Sequence, residues 1–157
     1  RPVQAHASDA RGAREAVEAL IVIPARASDA ALMDHARSTW LRSGILHKQA
    51  VSHRHFFIIS NEDPDVKNLV VSTDGESDIL LVDCQHGYRQ LLQKMAAGYR
   101  ALLARFDVKF FIRADVDSVL PLQFVLPILR HASDGNCLVG LPQATNCGDS
   151  KVRWKMP

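Results

Sequence analysis

An α/β fold, built on a mostly parallel sheet with helices on both faces, is what the sequence predicts. Short β-branched apolar runs alternate with amphipathic stretches of helical period, the pattern of strand–helix–strand units. One run, Ile79–Val82, is apolar throughout, as a strand covered on both faces must be. Two aspartates, Asp115 and Asp117, follow directly on another apolar run, and in such sheets ligands gather at the carboxyl ends of strands.

The chain has 157 residues, enough for one core and too few for two ordinary domains. An apolar fraction of 47% with 23% charged residues fits a globular chain rather than a disordered one. The net charge of +2 is spread over interspersed acids and bases, which gives no case for a nucleic-acid partner. No apolar run reaches the length of a membrane span, and no signal peptide is visible. The chain starts at Arg1 rather than Met and stops at Pro157 without a terminating element, so it reads as an excerpt of a longer polypeptide. Cys84, Cys137 and Cys147 have no metal-ligand spacing; Cys137 with Cys147 as a pair, or three free thiols, both fit.

Residues 1–18 read as a lead-in segment, polar and Ala/Arg-rich with a short frayed helix at most. Ala19–Pro24 is the first strand, β-branched and stopped by proline. Ser28 and Asp29 signal the N-cap of a helix running to about Arg42, with Leu32, Ala36, Thr39 and Trp40 inward. His55–Ser60 is the second strand, closed by the turn residues Asn61, Glu62, Asp63 and Pro64. Val66, Leu69 and Val70 suggest a short helix or an extended piece, and Thr73–Glu76 a turn.

Asp78–Cys84 is the third strand. Gly87–Phe106 is the clearest helix, its wide apolar stripe comprising Tyr88, Leu91, Leu92, Met95, Tyr99, Leu102, Leu103 and Phe106. Val108–Arg113 is a buried fourth strand. Leu122–Ala132 is amphipathic, with Pro127 implying a kink or an early stop. Asn136–Leu141 reads as a fifth strand and Lys151–Lys155 as a last one.

In an extended chain residues i and i+2 face the same side, so Asp115 and Asp117 would aim both carboxylates at one point. Two like charges there call for a cation, and Mg²⁺ or Mn²⁺, which take carboxylate oxygens and bridge to phosphates, suit the site. The competing reading makes Asp117 or Ser118 a helix cap and leaves Asp115 solvated.

Taken in order, these stretches resemble the β-1,3-galactosyltransferase family, which includes β-1,3-N-acetylglucosaminyltransferases and has fringe proteins as relatives. The matching pieces are Ala36–Trp40, Phe56–Ile59, and Glu76–Asp83 followed by Tyr88, Leu91 and Lys94. Last comes Arg113–Asp117, where the family has a lysine and an acidic metal-binding triplet. The match spans about residues 19–120. It implies a GT-A-like (Rossmann-like) fold, with 19–157 a partial nucleotide-sugar-binding domain truncated at its C-terminus.

The activity implied is inverting, metal-dependent transfer of galactose or N-acetylglucosamine from a UDP-sugar to a glycan hydroxyl on a glycan or glycoprotein acceptor. A Golgi-lumenal location follows from the same resemblance, with membrane attachment through an anchor outside this chain. Carried over, Asp117 is the main Mn²⁺ (or Mg²⁺) ligand, Asp115 holds metal and ribose, Arg37 contacts the nucleotide and Lys94 balances charge near the aspartates. For Arg37 and Lys94 the alternative is a salt bridge on a helix surface.

The chain departs from the family at Val116, which breaks the acidic triplet, at Arg113 and at Gln85–Gly87. The general base of the transfer is expected beyond Pro157, because the carboxylates after Asp117, Asp134 and Asp149, lack its context. Two alternatives remain. Asp115–Leu120 also resembles the first motif of haloacid-dehalogenase-like phosphohydrolases, with Asp115 as nucleophile. The other is a non-catalytic nucleotide-sugar-binding domain.

Overall fold

The computed structural model describes residues 3–4, 13–42, 52–69 and 77–131. The elements are β1 (Val3–Gln4), β2 (Glu15–Pro24), α1 (Ala30–Ser38), β3 (His53–Ser60), β4 (Ile79–Val82), α2 (Leu91–Arg105), β5 (Phe106–Arg113) and α3 (Leu122–His131). They form an α/β, Rossmann-like unit. The five strands make one sheet in the order β1-β4-β3-β2-β5, and every pair is parallel.

Successive side chains of a strand point to opposite faces, and the two cores follow that alternation. Ile21, Ile23, Phe57 and Ile59 face Met33 and Ala36 of α1 and Leu122 and Leu126 of α3. Leu20, Val22, Phe56 and Ile58 face Met95 and Leu102 of α2. Helices therefore cover both faces, as expected. Arg130 of α3 also grips Glu18 of β2 through two hydrogen bonds of 2.6 and 2.8 Å.

Several expectations need correction. β2 begins at Glu15, so residues 15–18 are sheet rather than lead-in, and Val3–Gln4 pairs with β4. α1 follows the expected N-cap at Asp29, behind a 3₁₀ turn at Ala27–Asp29, but ends at Ser38 rather than near Arg42. Ala36 and Trp40 are buried as expected, with Met33 and Leu41, whereas Leu32 and Thr39 are exposed. The long helix opens with a 3₁₀ turn at Tyr88–Gln90, and Tyr88, Leu92 and Leu103 are exposed, so its apolar stripe is narrower than its spacing suggested. α3 continues past Pro127 to His131, so the early stop does not occur. β5 is the outermost strand of the described sheet rather than a strand buried on both faces, and its burial alternates accordingly. The strands expected at 136–141 and 151–155, the turn at Thr73–Glu76, and Cys137 and Cys147 lie outside the described residues. Cys84 is a half-buried free thiol.

α2 approaches the sheet closely at Gly98. A Cβ built there would lie 2.2 Å from Cδ1 and 3.1 Å from Cγ1 of Ile58, a fully buried side chain. Alanine would gain up to ~1 kcal/mol of helix propensity but force the buried isoleucine off its rotamer, at about 1–3 kcal/mol. Gly98→Ala is expected to lose about 1 kcal/mol in urea unfolding, and Gly98→Val more. A stabilised alanine variant would show that α2 can lift from the sheet freely.

Candidate functional site

The chain runs outward from β2 through β3 to β4, then returns through α2 to place β5 on the other side of β2. The gap between β2 and β5 is thus the point where the strand order reverses, the place where open parallel sheets bind ligands beyond their carboxyl ends. A cleft of about 380 Å³ opens at that end. Three segments line it: Pro24, Ala25, Arg26, Asp29 and Leu32 after β2; His86, Gly87, Tyr88, Leu91 and Lys94 between β4 and the first turn of α2; and Asp115, Val116 and Asp117 after β5.

Asp115 and Asp117 do meet at one cavity, but not as an extended pair. The chain turns at Asp115, whose carbonyl accepts a hydrogen bond of 3.0 Å from the Ser118 N–H, and both side chains are exposed. The β5 register carries them there: Arg113 lies beside Val22, and the Ala114 N–H donates to the Val22 carbonyl at 3.1 Å. The cation beside Asp115 is its neighbour Arg113, whose Nη2 is 2.7 Å from Oδ1. That exposed pair is worth little and leaves Oδ2 open. Neither Asp117 nor Ser118 caps α3, which starts four residues on at Leu122.

Lys94 lines the same cleft as the aspartates, where the resemblance put it, but it is buried. It is only 5% exposed, and its Nζ donates to the Ala25 carbonyl at 2.8 Å. Among the described residues no carboxylate pairs with it, so the surface salt-bridge alternative does not apply. Burial holds its pKa below the ordinary lysine value, opposed in part by Cys84, Asp63 and Asp29. An ammonium has three donors, and the Ala25 carbonyl takes one. Two remain at the cleft.

Arg37 is elsewhere. A helix following a parallel strand starts at the carboxyl end of the sheet and finishes at the amino end, and Arg37 is in the last turn of α1. Its Nε and Nη2 donate to Asp78 at 2.7 and 2.9 Å, its Nη1 to Asp34 at 2.6 Å, and it lies over the Phe57 ring. Asp78 also lies 3.2 Å from His55 Nε2. This knot ties α1 to β3 and to the entry of β4. The structure does not bring Arg37 to the cleft with the aspartates, and its contacts are those of the salt-bridge alternative.

A cleft residue, His86, and its buried neighbour Asp63 escaped the sequence reading. Asp63, read only as turn chemistry, has a side chain 1% exposed and accepts hydrogen bonds of 3.0 Å from the backbone N–H groups of Ala27 and Asp65. Its Oδ2 also lies 3.2 Å from Nδ1 of His86. Only the position of His86 between a strand end and a helix start signalled it. Gly87, at φ 134°, supplies the left-handed backbone of that turn. Arg26 is exposed and bound to Asp29 through Nε and Nη2, at 3.3 and 2.9 Å.

Chemically the cleft combines two carboxylates, with open oxygens, and a buried ammonium. Mg²⁺ and Mn²⁺ are commonly held by one or two carboxylates with phosphate and water completing the shell, so the aspartate pair fits such an ion bound together with a diphosphate. Among the described residues no group of three or more His, Cys, Asp and Glu gathers as a self-sufficient metal cage, and no described helix is long and apolar enough to cross a membrane. No protein-family model matches the chain, and neither does any curated protein or solved structure.

Proposed function

We propose that the cleft binds a nucleotide sugar as its metal complex and that the chain is the donor-binding part of a GT-A-like hexosyltransferase. In this reading it acts on a UDP-sugar of galactose or N-acetylglucosamine, as in the β-1,3-galactosyltransferase family that the sequence resembles. The observation that carries the proposal is the convergence of Asp115, Asp117 and the buried Lys94 at the cleft between β2 and β5.

Asp115 and Asp117 would hold Mn²⁺ or Mg²⁺, which when bound supplies charge neutralisation for the departing diphosphate. Lys94 faces the same phosphates with its two spare donors. Asp29 is the remaining carboxylate of the cleft, and it is tied to Arg26. Donor binding accordingly falls to these residues, and deprotonation of the acceptor hydroxyl to a base elsewhere. A glycan or glycoprotein acceptor and a Golgi-lumenal setting belong to the same reading.

Calorimetric titration with UDP in the presence of Mn²⁺ tests it. Chelating the metal is expected to weaken UDP binding about tenfold, and Asp117→Ala to weaken it equally, the loss of about one good ionic contact. UDP binding indifferent to both changes would sink the reading. Phosphatase activity with Mg²⁺ that depends on Asp115 would move the site to the phosphohydrolase alternative.

A further inference from the structure

We infer that His86, oriented by the buried Asp63, forms with Lys94 a phosphate-binding subsite that works without metal. The inference rests on the proposed diphosphate ligand but concerns residues outside the aspartate pair, and it needs only a phosphoryl anion.

Asp63 sits beneath the cleft, and its carboxylate is already engaged by the N–H groups of Ala27 and Asp65, so it cannot turn away. His86 Nδ1 is 3.2 Å from Asp63 Oδ2, while the imidazole remains 34% exposed at the cleft. A ring nitrogen facing a carboxylate must carry the proton, because two lone pairs would repel. Nε2 is then the ring atom left for a ligand. With Nδ1 held beside Asp63, a proton on Nε2 would face a phosphoryl oxygen bound in the cleft.

Lys94 adds the second observation. Its ammonium is buried, lacks a carboxylate partner among the described residues and has two donors beyond the Ala25 bond. Such a group is costly to desolvate and is recovered by an anion brought to it. His86 and Lys94 both come from the β4–α2 segment, whereas the aspartates come from the turn after β5. One segment therefore offers cationic donors and the other anionic oxygens. A metal-bound diphosphate needs both, but a bare phosphate needs only the first.

The probe is inorganic pyrophosphate titrated in EDTA against wild type, His86→Asn and His86→Gln. Asparagine places its amide nitrogen near the position of Nδ1 and leaves the cleft side empty. Glutamine reaches the position of Nε2 and keeps a donor there. Wild type is expected to bind, His86→Asn to bind about tenfold more weakly, and His86→Gln to recover most of the loss at pH 8.

Absence of pyrophosphate binding in EDTA, unchanged affinity in His86→Asn, or no recovery in His86→Gln would each overturn the subsite. If metal-dependent UDP binding fails its own test while these results hold, the nucleotide-sugar reading falls and the phosphate subsite stands.

Discussion

Asp78→Asn is expected to cost about 2–3 kcal/mol of unfolding free energy, although the residue lies at the opposite end of the sheet from the cleft. Its carboxylate takes two hydrogen bonds from Arg37 and lies 3.2 Å from His55, with side-chain exposures of 23% for Asp78 and 31% for Arg37. Removing one partner of a buried pair costs ~3–5 kcal/mol, because the other charge stays behind without its counter-ion. Partial exposure and the surviving Arg37–Asp34 contact bring the figure down to the lower end. An amide keeps the shape of the carboxylate but turns an N–H toward a guanidinium that has only donors.

The pH dependence of that loss follows from the same contacts. Burial alone would raise the Asp78 pKa, but the hydrogen bonds of His55 and Arg37 and the charge of Arg37 outweigh it and hold the group far below the usual carboxylate range. A group depressed on folding contributes stability above its unfolded pKa, near ~4 for aspartate, and loses it as pH falls toward the folded value. Urea unfolding should thus give a constant difference between wild type and Asp78→Asn from pH 7 to 5, narrowing below pH 4. A difference under 0.5 kcal/mol at pH 7 would show that α1 does not depend on the knot.

The sheet was legible because its signal is local. Leu20–Ile23, Phe56–Ile59 and Ile79–Val82 are runs whose composition demands cover on both faces, and they have it. The face of α1 was legible only in part. The cap at Asp29 and the inward Ala36 and Trp40 hold, but Met33 rather than Leu32 is buried and the helix ends at Ser38. The site divides along similar lines. Asp115 and Asp117 reach the cleft because they follow a parallel strand, although they do so through a turn rather than by extended alternation.

Arg37 and Lys94 looked alike as basic residues on helices, yet the direction of the chain separates them. Arg37 is in the last turn of its helix, at the amino end of the sheet, and Lys94 is in the first turn of its own, at the carboxyl end. The contact between Asp63 and His86 joins two loops across 23 residues of sequence, 86 − 63, and no periodicity in the chain encodes it.

Lys94→Met is the substitution expected to separate stability from binding. Methionine keeps the length and the apolar stem of lysine, so the packing of α2 on β2 changes little. It loses the bond to the Ala25 carbonyl, worth about 1 kcal/mol, but also removes an ammonium whose desolvation costs several kcal/mol. A base whose pKa is lowered on folding costs stability wherever it is charged in the folded state, and the cost is relieved as pH rises from its folded pKa to its unfolded pKa. Burial lowers the Lys94 pKa on folding, so its ammonium weighs against the folded state wherever it is charged.

Lys94→Met is therefore expected to unfold at the same or a higher urea concentration than wild type at pH 7. Its affinity for UDP with Mn²⁺ is expected to fall on the order of 100-fold, the loss of two hydrogen bonds from a charged donor in a desolvated site. A residue kept at a cost to folding is a residue kept for its ligand. If the variant is instead less stable by more than 1 kcal/mol and binds UDP as wild type does, Lys94 is a strut between α2 and the end of β2, and the anionic ligand must be held without it.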